Sequence, residues 1–283
     1  MNKLIKFILI IAITQAGIYF YLDRVVLVPS AKYSQQAITD VSKLPVDPEK
    51  VSTDQKYYAK LQTTGVKFYT IDNTLKNELA LKTGESVSYF SWVPDTDLAL
   101  IGISRNTAHG TSVSLKSVNM ETNSYPVEPK ISGLASGSKI TEVASSSQIN
   151  VTYILIKSKI TTLVYRTDAN NSLRKVISHT AVRRIASLQS EDMLLYDNKQ
   201  DGEVYALSNK GKWKMISPKV GHYALIGSDK DDNIYIGRLS GSGVISSILK
   251  GNPKGNFTEY KDLDYHYPAS SVTVNYDGKL QLS

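Results

Sequence analysis

Hydrophobic and polar positions along this chain follow two different rhythms. From Phe7 to Leu22 (FILIIAITQAGIYFYL) sixteen residues carry no charge, with Lys3 and Lys6 before them and Asp23 and Arg24 after. An upright helix needs about 20 apolar residues to cross the hydrocarbon of a bilayer. Leu4, Ile5 and a snorkelling Lys6 on one side, with Tyr19 and Tyr21 at the interface, extend the run to that length. The pattern predicts residues 1–24 as a single N-terminal transmembrane anchor, its lysine end cytoplasmic and everything after Asp23 extracytoplasmic, so that the protein sits in the cell membrane as a single-pass chain. A cleaved signal peptide would need small residues at its cut site. Cutting after Thr14 and Ala16 leaves an apolar GIYFYL start, and Pro29, Ser30 and Ala31 lie beyond two charges. Residues 25–64, with Pro29, Pro45 and Pro48 and no sustained period, read as an extracytoplasmic tether with at most a short helix near Asp54–Leu61.

From Gly65 onward the rhythm changes to short alternating strands separated by Asp, Asn and Gly, and these strands repeat. A strand, a polar turn and a second strand recur in SYFSWVPDTDLALIGIS (88–104), ITEVASSSQINVTYILIK (140–157), VRRIASLQSEDMLLYDN (182–198), HYALIGSDKDDNIYIGR (222–238) and SSVTVNYDGKLQLS (270–283). Two further strands follow from Thr111, Ile160, Gly202 and Gly243. Four strands per unit at about 40 to 50 residues is the period of a propeller blade. The fifth unit stops after its second strand, and the segment 65–84 matches the missing third and fourth. The fold expected is therefore all-β: a five-bladed β-propeller over residues 65–283, its N- and C-terminal strands sharing one closing blade, which leaves no open sheet edge in the ring.

The blade openings, SYFSWVPDTDLALIGIS above all, resemble the Trp- and Asp-bearing blade motifs of the WD40 and TolB-like propeller superfamily, over residues 65–283. The likeness is one of fold. It implies a rigid ring with loops at both ends and no particular activity, since propellers host hydrolases, lectins and scaffolds alike.

Composition narrows the chemistry. With no cysteine among 283 residues, disulfides, thiolate metal sites and cysteine nucleophiles are excluded. The formal charge of +7 is scattered, as at Arg183 and Arg184 or Lys210, Lys212 and Lys214, which suits a solvated basic surface or an acidic partner such as anionic lipid or envelope polymer, with no nucleic-acid surface. No phosphate loop, HExxH pair or EF-hand spacing occurs, and Ser240–Gly243 (SGSG) reads as a hairpin loop rather than a nucleophile elbow. Asp95 and Asp97, and Asp229, Asp231 and Asp232, alternate like calcium ligands, yet as turn residues they need no metal. Glu142 is the one carboxylate on the inferred innermost strands, where a glycosidase would carry two. No cofactor, metal or enzymatic activity is expected; the runner-up to a binding or scaffolding module for a protein or envelope component is a carbohydrate-active hydrolase with its site at one mouth of the channel.

Links between blades and the turns between second and third strands emerge at one end of a four-stranded propeller. All four histidines fall there: His109 in a second-to-third turn, and His179, His222 and His266 in or beside the links. Arg105, Arg238, Tyr265 and Tyr267 join them, and these eight residues form the expected ligand-binding surface, because loops on a rigid scaffold carry recognition.

Overall fold

The computed structural model describes residues 50–123, 129–178, 181–240 and 243–282, together with Gln15. The expected anchor apart from Gln15, residues 25–49 of the tether and His179 lie outside the described residues. Among the described residues no helix is long and apolar enough to cross a membrane.

The fold is a succession of antiparallel meanders. The first is three-stranded, β1 (Tyr57–Gln62), β2 (Gly65–Thr70) and β3 (Leu75–Ala80). Four four-stranded sheets follow. They are β4 (Glu85–Trp92), β5 (Leu98–Thr107), β6 (Gly110–Asn119) and β7 (Lys130–Leu134); then β8 (Lys139–Ser146), β9 (Val151–Lys157), β10 (Thr162–Asp168) and β11 (Arg174–Ser178). The next two are β12 (Val182–Ser187), β13 (Met193–Asn198), β14 (Glu203–Ser208) and β15 (Trp213–Met215), and β16 (His222–Ser228), β17 (Ile234–Leu239), β18 (Val244–Gly251) and β19 (Thr258–Pro268). A two-stranded sheet, β20 (Val272–Val274) and β21 (Leu280–Leu282), ends the series.

Each four-stranded sheet buries both faces, so the core is divided into layers between neighbours. Phe68, Trp92, Ile101 and Met120 fill the first layer, and Val113, Ile131, Ile140 and Ile154 the second. Tyr153, Val164, Ile185 and Leu194 fill the third, Leu195, Val204, Leu225 and Ile236 the fourth, and Ala224, Tyr235, Ile248 and Val272 the fifth. Successive side chains along a strand point to opposite neighbours, so strands such as β9 and β16, packed on both faces, are buried almost throughout. Turn chemistry agrees: Asp95, Asn150 and Asp232 hold positive φ in the hairpins after β4, β8 and β16, a conformation short polar side chains tolerate.

The four complete sheets coincide with the four complete units of the sequence. Two features differ from expectation. Residues 57–62 form strand β1 instead of a short helix, because Tyr58 and Ala59 are buried and the segment pairs with β2 over its whole length. The N-terminal part of the closing region thus has three strands, and it shares no hydrogen-bonded ladder with β20–β21 among the described residues. Both β1 and β21 leave the hairpin end, marked by Lys56 beside Asp97 and by the turn at Asp277, and run toward the links. The two strands are therefore parallel, and the antiparallel register that joins every other pair is not on offer between them.

Neighbouring sheets are also joined by carboxylates. Asp192, in the β12–β13 hairpin, accepts from the Tyr153 hydroxyl at 2.7 Å and from Arg166 Nη2 at 2.6 Å, both in the preceding sheet. Asp232, in the β16–β17 hairpin, accepts from the Gln189 and Ser190 amides. Asp197 of β13 is wholly buried, accepts from the amides of Arg184 on β12 at 2.8 Å and Leu225 on β16 at 3.3 Å, and lies 3.6 Å from the Arg183 guanidinium. Removing one partner of a buried charge pair leaves the other uncompensated, at a cost of about 3 to 5 kcal/mol. We expect Asp197→Ala to lower unfolding free energy by about that amount in urea, whereas Arg238→Ala, which breaks an exposed pair with Glu259, changes it by less than about 1 kcal/mol.

Candidate functional site

One cavity of about 420 Å³ is lined by the first strand of each four-stranded sheet together with β20. Four of these strands share a local fault in their ladders. Pairing slips by one residue between Val87 and Tyr89 on β4, between Ile140 and Glu142 on β8, between Val182 and Ile185 on β12, and between Leu225 and Gly227 on β16. A bulge bends its strand and re-aims the side chains beside it. These bulges bring Tyr89, Glu142 and Arg184 into the cavity wall.

Arg184 forms the floor. Its Nη1 donates to the carbonyl of Ile226 at 3.2 Å and to that of Val272, its Nη2 donates to the carbonyl of Ser270 at 3.2 Å, and its Nε lies 3.7 Å from Glu142 Oε1. Glu142 Oε2 accepts from the Ile185 amide at 2.9 Å. Although the Glu142 side chain keeps 28% of its surface, what it faces is this narrow cavity. Burial pushes its carboxyl up to about 7, against the downward pull of Arg184 and of the Ile185 amide. The phenol of Tyr89 is pushed up to about 12, also by burial, and stays neutral in any ordinary solution.

Toward the hairpin end the lining becomes hydroxylic. Ser91, Ser145, Ser187 and Ser228 stand near the ends of β4, β8, β12 and β16, one from each sheet, and Thr273 adds a fifth hydroxyl from β20. Gln189, Asn275, Tyr276 and Gln281 complete this rim. Of all the lining residues, only Glu142 is acidic and only Arg184 is basic.

The ligand surface expected from sequence lies at the other end. His222, Leu239, Ile245 and Tyr267 are register partners in one row across the β16–β19 sheet, with Arg238 one residue away and Tyr265 exposed to 73%. Arg105 and His109 occupy the end of β5 and the following turn, at the same end of a different sheet. Arg238 is engaged with Glu259 at 2.6 Å, and His222 Nδ1 is 2.9 Å from the Asp201 carbonyl. The left-handed turn at Gly202 packs against that imidazole, since a Cβ there would meet Nδ1 at 2.7 Å. The structure thus gathers His222, Arg238 and Tyr265–Tyr267 on one sheet and sets Arg105 and His109 on another. Among the described residues no three His, Asp or Glu side chains are grouped to hold a metal. The Asp229 carboxylate is occupied by the Asp231 and Asn233 amides, the Asn233 side chain and the Tyr235 hydroxyl, as a turn residue's would be. Arg184 was the residue hardest to find from sequence; its only signal is a basic pair, Arg183–Arg184, on an inferred innermost strand.

Neither a family model nor a curated protein sequence matches the chain. Solved structures do. Dipeptidyl peptidase 4 of Porphyromonas gingivalis matches 81% of this chain and 40% of its own, with 13% identity and a TM-score of 0.52. The acylaminoacyl peptidase of Pyrococcus horikoshii matches 82% of this chain and 40% of its own, with 10% identity and a TM-score of 0.52. Virginiamycin B lyase of Staphylococcus aureus matches 79% of this chain and 71% of its own, with 12% identity and a TM-score of 0.50. This chain is a β-propeller. It spans about two fifths of either peptidase, and at such identities the likeness is one of fold. The propeller's axial cavity is the site just described, and its layered sheets are blades.

A raised carboxyl pKa ties stability to pH. Glu142 binds its proton more tightly folded than unfolded, so its contribution is fully present below about pH 4.5 and is lost as pH rises through 7. Glu142→Gln removes that loss. Relative to the native protein, the variant should gain up to about 3 kcal/mol between pH 4.5 and pH 8 in urea unfolding; a constant offset would show that the carboxyl titrates normally.

Proposed function

We propose that this chain is a membrane-tethered, extracytoplasmic β-propeller of five blades that binds a polar ligand without chemically altering it. One observation carries the reading: the axial cavity has a single carboxylate, and that carboxylate faces an arginine already committed to two strand carbonyls and one link carbonyl. Hydrolysis of a glycosidic bond by the common route requires an acid and a second carboxylate across the bond. The axial cavity supplies one. What the cavity does supply is a preformed concave surface with a few convergent polar groups, the ordinary form of a small-ligand site.

The five-bladed count is supported by five first strands around one cavity, with β20–β21 and β1–β3 as the two halves of the closing region. Asp95, after β4, lies within electrostatic reach of Lys230, after β16, which supports a ring that returns on itself. The surface of His222, Arg238, Tyr265, His266 and Tyr267, with Arg105 and His109 at the same end of another sheet, is a second contact region, suited to a protein or envelope component. Membrane attachment rests on the charge-flanked run from Phe7 to Leu22.

Two measurements test this function. The full-length protein should remain with membranes through a carbonate wash, and its propeller should be digested by protease added outside intact cells stripped of their wall; a soluble form lacking the leader would remove the anchor. Incubation with envelope polysaccharide should release no new reducing ends. Release that disappears in Glu142→Gln would establish the hydrolase in place of the binding module.

A further inference from the structure

Resting on the binding function, the chemistry of the axial cavity narrows the ligand to one class. We infer that the cavity between Arg184 and the Ser91, Ser145, Ser187 and Ser228 ring is a site for an uncharged carbohydrate of one or two sugar rings. Three observations combine. The first is charge. Arg184 donates to the carbonyls of Ile226, Val272 and Ser270 and faces Glu142, so its donors are largely spent on the protein itself. A phosphate, a nucleotide or a zwitterionic peptide would bring formal charge into a cavity whose one cation is already committed, and desolvating such a charge is costly.

The second observation is hydrogen-bond type. A serine or threonine hydroxyl has one proton to give and two lone pairs to accept with. Ser91 and Ser228 give their protons to the carbonyls of Trp92 and Ser187, which leaves oxygen lone pairs for a ligand's O–H groups. The side-chain amides of Asn275 and Gln281 have their oxygens engaged by the Asp277 and Lys279 amides and by the Thr273 hydroxyl, which leaves their NH2 groups as donors, and Tyr89 supplies a phenol that remains neutral. A sugar is the uncharged ligand that matches such a ring, because each of its hydroxyls also both donates and accepts. The Glu142 carboxyl, deeper in the wall, is placed among these groups as a further acceptor for sugar O–H.

The third observation is shape. A cavity of about 420 Å³ falls in the range of small-molecule sites, about 300 to 1,000 Å³. Tyr89 and Tyr276 line it alongside the hydroxyls. The negative face of an aromatic ring favours partly positive C–H edges, which a pyranose presents on the face that carries no hydroxyls.

The test uses full-length protein in detergent micelles, with cellobiose and N,N′-diacetylchitobiose as probes and glycylserine as a charged, non-carbohydrate control, read by saturation-transfer NMR. Saturation transfer to at least one disaccharide and none to the dipeptide is expected. The apparent Kd should weaken at least tenfold in Ser145→Ala/Ser187→Ala, a change that keeps the backbone carbonyls on which Gln189 and Ser228 depend. Ser187→Leu, which fills the cavity, should abolish binding, and Tyr265→Ala/His266→Ala at the opposite end should leave it within twofold; all three variants are first shown to melt cooperatively. Transfer to the dipeptide alone would overturn the carbohydrate assignment while leaving a binding function standing. Silence from every probe, or sugar binding that ignores both cavity variants, would overturn it as well. Splitting of either disaccharide in the same spectra would uphold the ligand class and replace binding by hydrolysis.

Discussion

A cation at the propeller axis sets the terms for everything around it. Arg184 leaves β12 and reaches backbone carbonyls of Ile226 on β16, Val272 on β20 and Ser270 in the link before it, while facing Glu142 on β8. One side chain therefore ties its own sheet to three others whose shared interfaces are mostly apolar. Hydrophobic layers are non-directional; they tolerate sliding of one sheet over the next. A guanidinium with a fixed fork of donors does not, because displacement leaves buried carbonyls without partners. The pair with Glu142 follows from the same constraint. A cation withdrawn from water favours a nearby carboxyl, and Arg184 in turn pulls the Glu142 carboxyl down against the stronger upward push of burial. Such a pair contributes register more than it contributes stability.

The bulges explain how an arginine and a glutamate come to line the cavity on strands whose alternation assigns most side chains to the blade interfaces. A strand with strict period two has only two directions to offer, toward one neighbouring blade or toward the other. An inserted residue on each of β4, β8, β12 and β16 rotates the following segment, and the axis becomes reachable. This also marks the boundary of what the sequence discloses. The blade repeat, the polar hairpins and the inner position of Glu142 were legible, since each depends on local periodicity or local turn preference. The inward course of Arg184 was not, because a bulge is an interruption of the very period by which strands are recognised. Strand β1 escaped for a related reason. YYAKLQ carries a lysine and a glutamine among its apolar residues and follows a proline-rich stretch, and only its partner β2 makes it a strand.

Acidic hairpins illustrate how one residue pattern supports two readings until geometry separates them. Asp229, Asp231 and Asp232 alternate as oxygen ligands for a cation would. In the folded blade two of these carboxylates are already used: Asp229 organises its own turn, and Asp232 accepts amides from the hairpin of the preceding blade. Asp192 does the same one blade earlier, with Tyr153 and Arg166 as donors. A recurring carboxylate that reaches back one blade is a device for holding adjacent hairpins at fixed spacing, and that spacing sets the width of the cavity mouth they surround.

The two ends of the propeller are consequently unlike in chemistry and in connection to the chain. The hairpin end carries the hydroxyl ring and the cavity mouth, and the polypeptide joins the fold there: the Lys50 carbonyl accepts from the Trp92 indole at 2.9 Å, and Lys56 sits beside Asp97 just before β1 begins. The link end carries Tyr265, the half-buried Tyr267, His222 and Arg238, none of which touches the cavity. On the proposed binding function the two ends divide the work by shape: a small ligand suits the concave, hydroxyl-lined axis, whereas the exposed Tyr265 and its neighbours suit a broader contact.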